Sequence, residues 1–302
     1  MTSPDQVIAQ ELKACPLCEA TESSLFDRRD FRGQLVINWL CNRCGCVYQY
    51  PHLTEKELDA FYGEEYRQIY QGSAGPSPKD LSVQEERAVA LQDFIQHHGA
   101  RFSRHLDIGS SAGILLKRFQ TTFGSQGVGI EPGDAYRKYA QGSGITTYAA
   151  LEELNLKGET RFDLISLAHV LEHLPDPIGF LQNLRQKYLT STGWLLIEVP
   201  NLYAHDCFEI AHLVSFSEHT LRQTLQRAGF IVKAFEQHGR PRSVRIPLYL
   251  TVLAQPGQAV ENHPGTPVKK EFGVRRRRSM GLFRRRLLER FMPRQAWKPV
   301  GK

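Results

Sequence analysis

The chain has 302 residues, 41% of them hydrophobic and 23% charged, with 24 Gly and 16 Pro. That mixture can bury a core and offset chain entropy, which excludes global disorder, and the length suits a catalytic domain of roughly 200 residues with smaller additions. The net charge of +6 is local: residues 268–302 hold 13 Lys and Arg against Glu271 and Glu289, while the other 267 residues carry 25 basic and 30 acidic side chains. Contact with a polyanion or a membrane surface is therefore expected of the C-terminal end and not of the body.

The opening, MTSPDQVIAQELKACP, has neither the basic nor the apolar region of a leader peptide, and no stretch approaches the ~18 apolar residues of a membrane span. A cytoplasmic location is expected, at most peripheral at the inner face of a membrane. Five of the six cysteines then fall between Cys15 and Cys46, as Cys15-x-x-Cys18, 22 intervening residues, and Cys41-x-x-Cys44-Gly45-Cys46. Each knuckle turns tightly enough to aim two thiolates at one tetrahedral ion. The spacing predicts a zinc ribbon over residues 1–52 with Cys15, Cys18, Cys41 and Cys44 as ligands and Cys46 competing for the fourth place. Such a closed site is structural, and a disulfide pair is disfavoured where thiols stay reduced. Residues 25–27 and 35–40 read as short strands.

Residues 53–80 read as a helical linker or lid. Thr54 and Glu57 form a candidate capping box, and Tyr62, Tyr66 and Tyr70 share one helix face, as plain packing or as a cleft wall. The Gly, Ser and Pro run at 71–78 marks a loop and the domain boundary.

Over 81–256 the text becomes strand, glycine turn, helix: Arg104-His105-Leu106-Asp107-Ile108-Gly109-Ser110-Ser111-Ala112-Gly113, then a helix from Ile114 to Phe123. Glycines let the backbone approach a nucleotide, and Asp107 at the strand end can steady a cationic group or backbone amides. The next strand closes on Glu131, 24 residues on, placed to hold ribose hydroxyls. A dinucleotide site wants G-x-G-x-x-G, and Ile114 stands where the third glycine would fall, so NAD is disfavoured.

The spacing instead resembles motif I of class I S-adenosylmethionine-dependent methyltransferases, D-x-G-x-G-x-G, with Ser111 for the middle glycine. Residues 162–177 (FDLISLAHVLEHLPDP), 194–201 (WLLIEVPN) and 212–221 followed by Ala228-Gly229-Phe230 are similar to that family's fourth strand, fifth strand and substrate-side segment. The resemblance implies an α/β fold, a Rossmann-like seven-stranded sheet flanked by helices. It further implies that Asp107, Gly109, Ser111 and Gly113 hold the cofactor's methionine side and Glu131 its ribose, that Ala149 to Leu151 lie near adenine, and that Ala168 closes the site.

A cysteine ribbon joined to this core resembles the zinc-containing sugar methyltransferases. Their C-methylating members carry a further C-terminal domain and a Y-x-E-H motif, which aligns with Glu209-Ile210-Ala211-His212 and keeps only the histidine. C-methylation needs a base and enolate-stabilising groups, so O-methylation of a saccharide or related small hydroxyl acceptor is the expected reaction. His169, His173 and His212 are the candidate bases, since imidazole titrates near neutrality, and each can equally be a capping or packing residue. Glu172 is read as orienting a histidine or complementing a helix start, His205 and His219 as surface or capping residues, and Cys207 as buried packing.

Residues 257–302 read as a basic tail with an amphipathic helix over 280–292, placing Met280, Phe283, Leu287, Leu288 and Phe291 on one face opposite arginines. That pattern suits an anionic bilayer, a protein or phosphate partner, or a disordered solubilising tail. Two other classes compete with the small-molecule methyltransferase. An RNA methyltransferase would explain ribbon and arginines, but the acidic body disfavours nucleic acid; a non-catalytic zinc-ribbon interaction protein would not keep Asp107 and Glu131.

Overall fold

The CxxC knuckles frame a hairpin whose second strand buries Val36 to Trp39. β1 (Ser23–Phe31) pairs antiparallel with β2 (Gln34–Cys41), and β2 with β3 (Val47–Gln49), in a computed structural model that describes residues 14–31, 33–52, 75–156, 161–206, 208–257 and 268–299. The expected linker residues Thr54, Glu57, Tyr62, Tyr66 and Tyr70, and Cys207, lie outside the described residues.

Three helix starts, at Ser77, Asp176 and Ser217, are written in the sequence as side-chain caps. The Ser77 hydroxyl accepts from the Asp80 amide at 3.2 Å and the Asp80 carboxylate accepts from the Ser77 amide at 3.1 Å, so α1 (Pro78–His98) opens on a full capping box inside the stretch read as linker, and closes at Gly99 with φ +66°. It buries Ala88, Leu91, Phe94 and Ile95 in one apolar cluster with Leu115 and Phe119 of α2 (Ile114–Phe123).

The main sheet alternates strands with helices. β4 (Arg104–Ile108), β5 (Gln126–Ile130), β6 (Thr146–Tyr148), β7 (Phe162–Ala168) and β8 (Leu189–Pro200) run parallel. Helices α3 (Asp134–Gly142), α4 (Glu152–Leu156) and α5 (Pro177–Asn183) lie in the crossovers. Strands covered on both faces need near-continuous apolar runs, as in Leu164-Ile165-Ser166-Leu167 of β7 and Leu195-Leu196-Ile197 of β8. The short β9 (Val214–Ser215) leads into α6 (Glu218–Arg227), capped by Ser217. β10 (Phe230–His238) and β11 (Tyr249–Pro256) complete seven strands in the order β10-β11-β8-β7-β4-β5-β6, with β11 antiparallel to both neighbours. The expected seven-stranded α/β sheet is thus the observed fold. Because neighbours on either side of β4 are reached by crossovers in opposite directions, the switch point of the sheet falls at the C-terminal ends of β4 and β7, where such sheets bind ligands.

The ribbon is joined to the body. β9 adds to the free edge of β3 in the pairs Val47 with Ser215 and Tyr48 with Val214, and Cys15, Leu17 and Trp39 share one apolar cluster with Leu106, Ile165 and Ile197. A sheet this small leaves an edge that must be covered, and the body covers it.

The C-terminal segment also docks. α7 (Val274–Phe291) and α8 (Pro293–Ala296) bury Val274, Arg278 and Ala296 against the body. The expected apolar face is corrected in one position. Leu288 turns inward to pack with Ala204, Ile246, Leu248 and Tyr249, whereas Met280, Phe283, Leu287 and Phe291 are exposed. Helix phase separates them: Leu288 shares a side with Val274, Gly281 and Arg285.

Candidate active site

The glycine turn after β4 fixes one side of this switch point. Gly109 adopts φ +71°, and a Cβ there would meet Val170 Cγ2 at 2.6 Å, so only glycine fits. Ser111 at φ +50° directs its amide to Glu131 Oε2 at 2.9 Å, and Gly113 at φ +75° starts α2. Glu131, just past β5 and buried, also accepts from the Gly133 amide at 2.8 Å. Asp107, 3% exposed, accepts from the Ser166 hydroxyl at 2.5 Å, and Ser166 in turn lies 2.7 Å from His105 Nε2. Burial pushes the Asp107 carboxyl up to about 7, helped by the nearby Glu131 charge and opposed by the Ser166 bond, while burial pushes His105 down to about 3. The neutral His105 therefore donates to Ser166, which donates to Asp107. Ala149 and Ala150 follow β6, with their amides on Glu153 Oε1 at 3.0 and 3.3 Å, and Leu151 packs against the main core.

On the other side, Ala168 ends β7 and His169 takes up φ +59°, uncommon for a residue with a side chain. Its backbone amide is held by the Glu198 carbonyl at 2.8 Å, and its ring lies between two carboxylates, Nδ1 3.3 Å from Glu172 Oε1 and Nε2 3.3 Å from Glu198 Oε1. Glu198 is fully buried and also meets Arg87 Nε of α1 at 2.9 Å and His238 Nε2 at 3.3 Å. Burial alone would raise its carboxyl, but bonds to His169 and His238 and the Arg87 charge hold it well below the usual range. Glu172 behaves alike: burial is outweighed by His169, His173 and His212, and the carboxyl stays at about 2.

His173 ends the 3-10 turn Leu171–His173, its Nδ1 2.7 Å from the Ala211 carbonyl and its ring 4.9 Å, edge to face, from that of His212. Burial and the neighbouring histidines lower it to about 4 against the pull of Glu172, so the neutral ring donates from Nδ1. Glu172, His173 and His212 bring three potential ligand atoms within 4.8 Å of one another, an arrangement able to share a proton or hold a cation. The three histidines singled out from sequence are thus neighbours of one buried glutamate.

A model of the methyltransferase domain matches residues 83–234, just over half of the chain. The chain belongs to the methyltransferase domain family. A ubiquinone biosynthesis O-methyltransferase of Actinobacillus pleuropneumoniae is 32% identical over 105 residues, a match covering 30% of this chain and 44% of that relative, so the chain spans less than half of the relative's length. The fold is similar to that of Burkholderia thailandensis 1,6-didemethyltoxoflavin-N1-methyltransferase, solved with 1,6-didemethyltoxoflavin and S-adenosylhomocysteine bound, with a TM-score of 0.54 at 19% identity, covering 77% of this chain and all of that one.

Four further residues that no sequence motif marks gather around His169. Glu198, Arg87, His238 and Tyr249 come from four elements; the one local signal was an acid inside the apolar run Leu195-Leu196-Ile197-Glu198-Val199. His205 requires correction. Instead of a surface residue it is a half-buried ring 5.9 Å from that of Tyr249, driven well below its ordinary value by burial and by neighbouring positive charge. His219 lies in the first turn of α6, its Nε2 2.7 Å from the Lys269 carbonyl.

In the ribbon, the Sγ atoms of Cys15, Cys18, Cys41 and Cys44 all lie within 4.8 Å of one another, at 3.6 Å for Cys15–Cys44 and 3.5 Å for Cys18–Cys41. Four thiolates about 2.3 Å from a tetrahedral centre stand about 3.8 Å apart, so the set fits an ion, and these separations exceed the ~2.05 Å of a disulfide. Backbone amides of Leu17 and Cys46 point at Cys15 and Cys44 Sγ, while the Cys46 thiol turns away toward the Val47 carbonyl. A cleft of about 570 Å³ opens beside the ribbon, bordered by Tyr48, Tyr50, His52 and Arg227 and by Pro175, Asp176 and Leu213, which adjoin the histidine cluster in sequence.

Proposed function

We propose that this chain transfers a methyl group from S-adenosylmethionine to a hydroxyl of a small acceptor, with a saccharide as the first class to test. The observation that carries the reading is that the ends of the neighbouring strands β4 and β7 carry Asp107 with its glycine turn and the Glu172 histidine cluster, with Gly109 packed against Val170 and Glu131 bonded to the same turn. Asp107, Gly109, Ser111 and Gly113 would hold the methionine side, Glu131 the ribose, Ala149 and Leu151 the adenine surround, and Ala168 the floor beside the reacting atoms. The relative named as an O-methyltransferase supports oxygen as the acceptor atom, and the four-cysteine module beside a methyltransferase core supports a sugar. Zinc on Cys15, Cys18, Cys41 and Cys44 would be structural, since four thiolates leave no open position.

The bound cofactor supplies an electrophilic methyl group on a sulfonium. The chain must orient the acceptor in line, exclude water and take the hydroxyl proton as the new carbon–oxygen bond forms and the sulfur–carbon bond breaks. His212 is the favoured base. His169 has each ring nitrogen beside a carboxylate, so it positions, and His173 is committed at Nδ1 to Ala211. The His212 ring packs edge to face on His173 without a side-chain hydrogen bond to any described residue, and Glu172 beside it can stabilise the imidazolium that forms.

The test is a calorimetric titration with S-adenosylhomocysteine, followed by transfer of labelled methyl to nucleotide sugars, glycolipids and RNA. Asp107→Ala and Glu131→Ala should weaken cofactor binding at least tenfold, and His212→Ala should spare binding and lower kcat by about 10² to 10⁴. Salt-sensitive methylation of RNA would replace the small-acceptor reading, and folded protein that binds no cofactor would remove it.

A further inference from the structure

α7 is seated the wrong way round for a helix that only packs on a globular body. Its docked side carries Arg278 and Arg285, which donate to the carbonyls of Leu202, His205 and Ala204, and Gly281, which lies on the Tyr203 backbone. Its solvent side carries the large apolar residues: Met280, Phe283, Leu287 and Phe291 are 59, 61, 41 and 70% exposed. They fall at steps of three and four, on one stripe. The seating fixes this phase, because turning the helix to bury the stripe would break the Arg278 and Arg285 bonds and drive a side chain into Tyr203. Arginines border the stripe, and Arg276, Arg284, Arg286 and Arg294 are exposed without an ion pair to any described residue. Phe272, 72% exposed, extends the apolar surface just before the helix.

We infer that this side of α7 lies on an anionic phospholipid bilayer, with the apolar stripe among the acyl chains and the arginines on phosphate headgroups. Charge decides among occupants. A second copy of the chain would face one arginine border with another, and a nucleic acid would satisfy the arginines but leave phenylalanines and leucine against a polar backbone; a bilayer with negative headgroups over an apolar interior satisfies both. The docked side of the same helix reaches the histidine cluster, since Arg278 lines a small pocket of about 10 Å³ together with Glu172, His205 and His212. Resting on the methyltransferase reading above, the inference extends to substrate class: the acceptor hydroxyl is carried on a lipid and reaches the site from the membrane surface.

The experiment uses the full zinc-loaded chain and sedimentation with phosphatidylcholine vesicles with and without phosphatidylglycerol. Binding is expected only to the anionic vesicles and should weaken as salt rises. F283D/F291D should lower the partition at least tenfold, and Arg284→Glu or Arg286→Glu about fivefold or more each, with melting temperature and S-adenosylhomocysteine affinity unchanged because these side chains face solvent. Absence of vesicle binding, binding indifferent to F283D/F291D, a dimer in light scattering dissolved by F283D/F291D, or RNA displacing the vesicles would each overturn the docking surface. Vesicle binding with equal methylation of free and lipid-carried acceptors would overturn the substrate class alone, and vesicle binding without cofactor binding would overturn the methyltransferase reading and leave the surface standing.

Discussion

His169 Nε2 lies 3.3 Å from Glu198 Oε1, on a fully buried carboxylate that also holds Arg87 and His238. The backbone of the same glutamate holds the backbone of the same histidine, so β8 fixes both the ring and the left-handed turn that presents it. Such a doubly anchored group is suited to orienting a site.

Glu198→Gln tests that role. The amide retains volume but not charge, leaving the half-buried Arg87 beside a neutral group. We expect kcat to fall about 10- to 100-fold with cofactor affinity within about twofold. Equal loss in cofactor binding, measured by calorimetry, would assign Glu198 to general folding.

Asp107 predicts a pH dependence. Its carboxyl ordinarily ionises near 3.8 but is pushed to about 7 by burial. A folded-state value above the unfolded one means that the folded protein holds the proton more tightly, so this group lowers stability as pH rises from about 4 to about 7 and adds no further change above. A cationic ligand group favours the carboxylate. Affinity for S-adenosylhomocysteine should therefore improve about tenfold from pH 6 to pH 8 and then level off, because the proton must leave before the charge is available. Asp107→Asn should bind weakly and flatten this dependence; a titration series over that range that stays flat in the unaltered chain would remove Asp107 from the cofactor's cationic end.

The four-cysteine cluster makes a stability prediction. Cys15, Cys18, Cys41 and Cys44 belong to the same apolar cluster as Leu106 and Ile197, so losing a ligand disturbs the body as well as the ribbon. Elemental analysis should find one zinc per chain, and Cys41→Ser or strong chelation should lower the melting temperature by about 10 °C, the shift that a few kcal/mol gives a domain of this size. Cys46→Ser should retain the metal. Full metal content in Cys41→Ser together with loss in Cys46→Ser would reassign the fourth ligand.

These residues differ in how far the sequence announced them. Asp107, Gly109 and Glu131 lie at the end of one strand, in the turn after it and just past the next strand, so the sequence spacing already brought them together. The knuckles were legible for the same reason. Glu198 meets Arg87 and His238 only because the sheet sets β11 between β8 and β10 and packs α1 against β8, an order that local text does not encode. Leu288 shows the same limit in a helix: periodicity grouped it with Leu287, but only the docked carbonyls of Leu202 and Ala204 decide which side faces inward.

Gly281 turns that last point into a measurement. A Cβ at this position would stand 1.9 Å from the Tyr203 carbonyl oxygen, and a backbone atom cannot swing aside as a side chain can. Gly281→Ala should therefore lift α7 from the loop at 201–206 even though alanine is the better helix former. Loss of the Arg278 bonds should follow, seen as faster amide exchange across 274–291, and a melting temperature lower by about 3 to 10 °C, from an overpacking cost of about 1–3 kcal/mol. Gly142→Ala, also within a helix but with open space around the added carbon, is the matched control and should be neutral or stabilising by about 0.4–1 kcal/mol. If both substitutions stabilise alike, α7 is not seated on Tyr203, and the outward direction of Phe283 and Phe291 loses its physical cause.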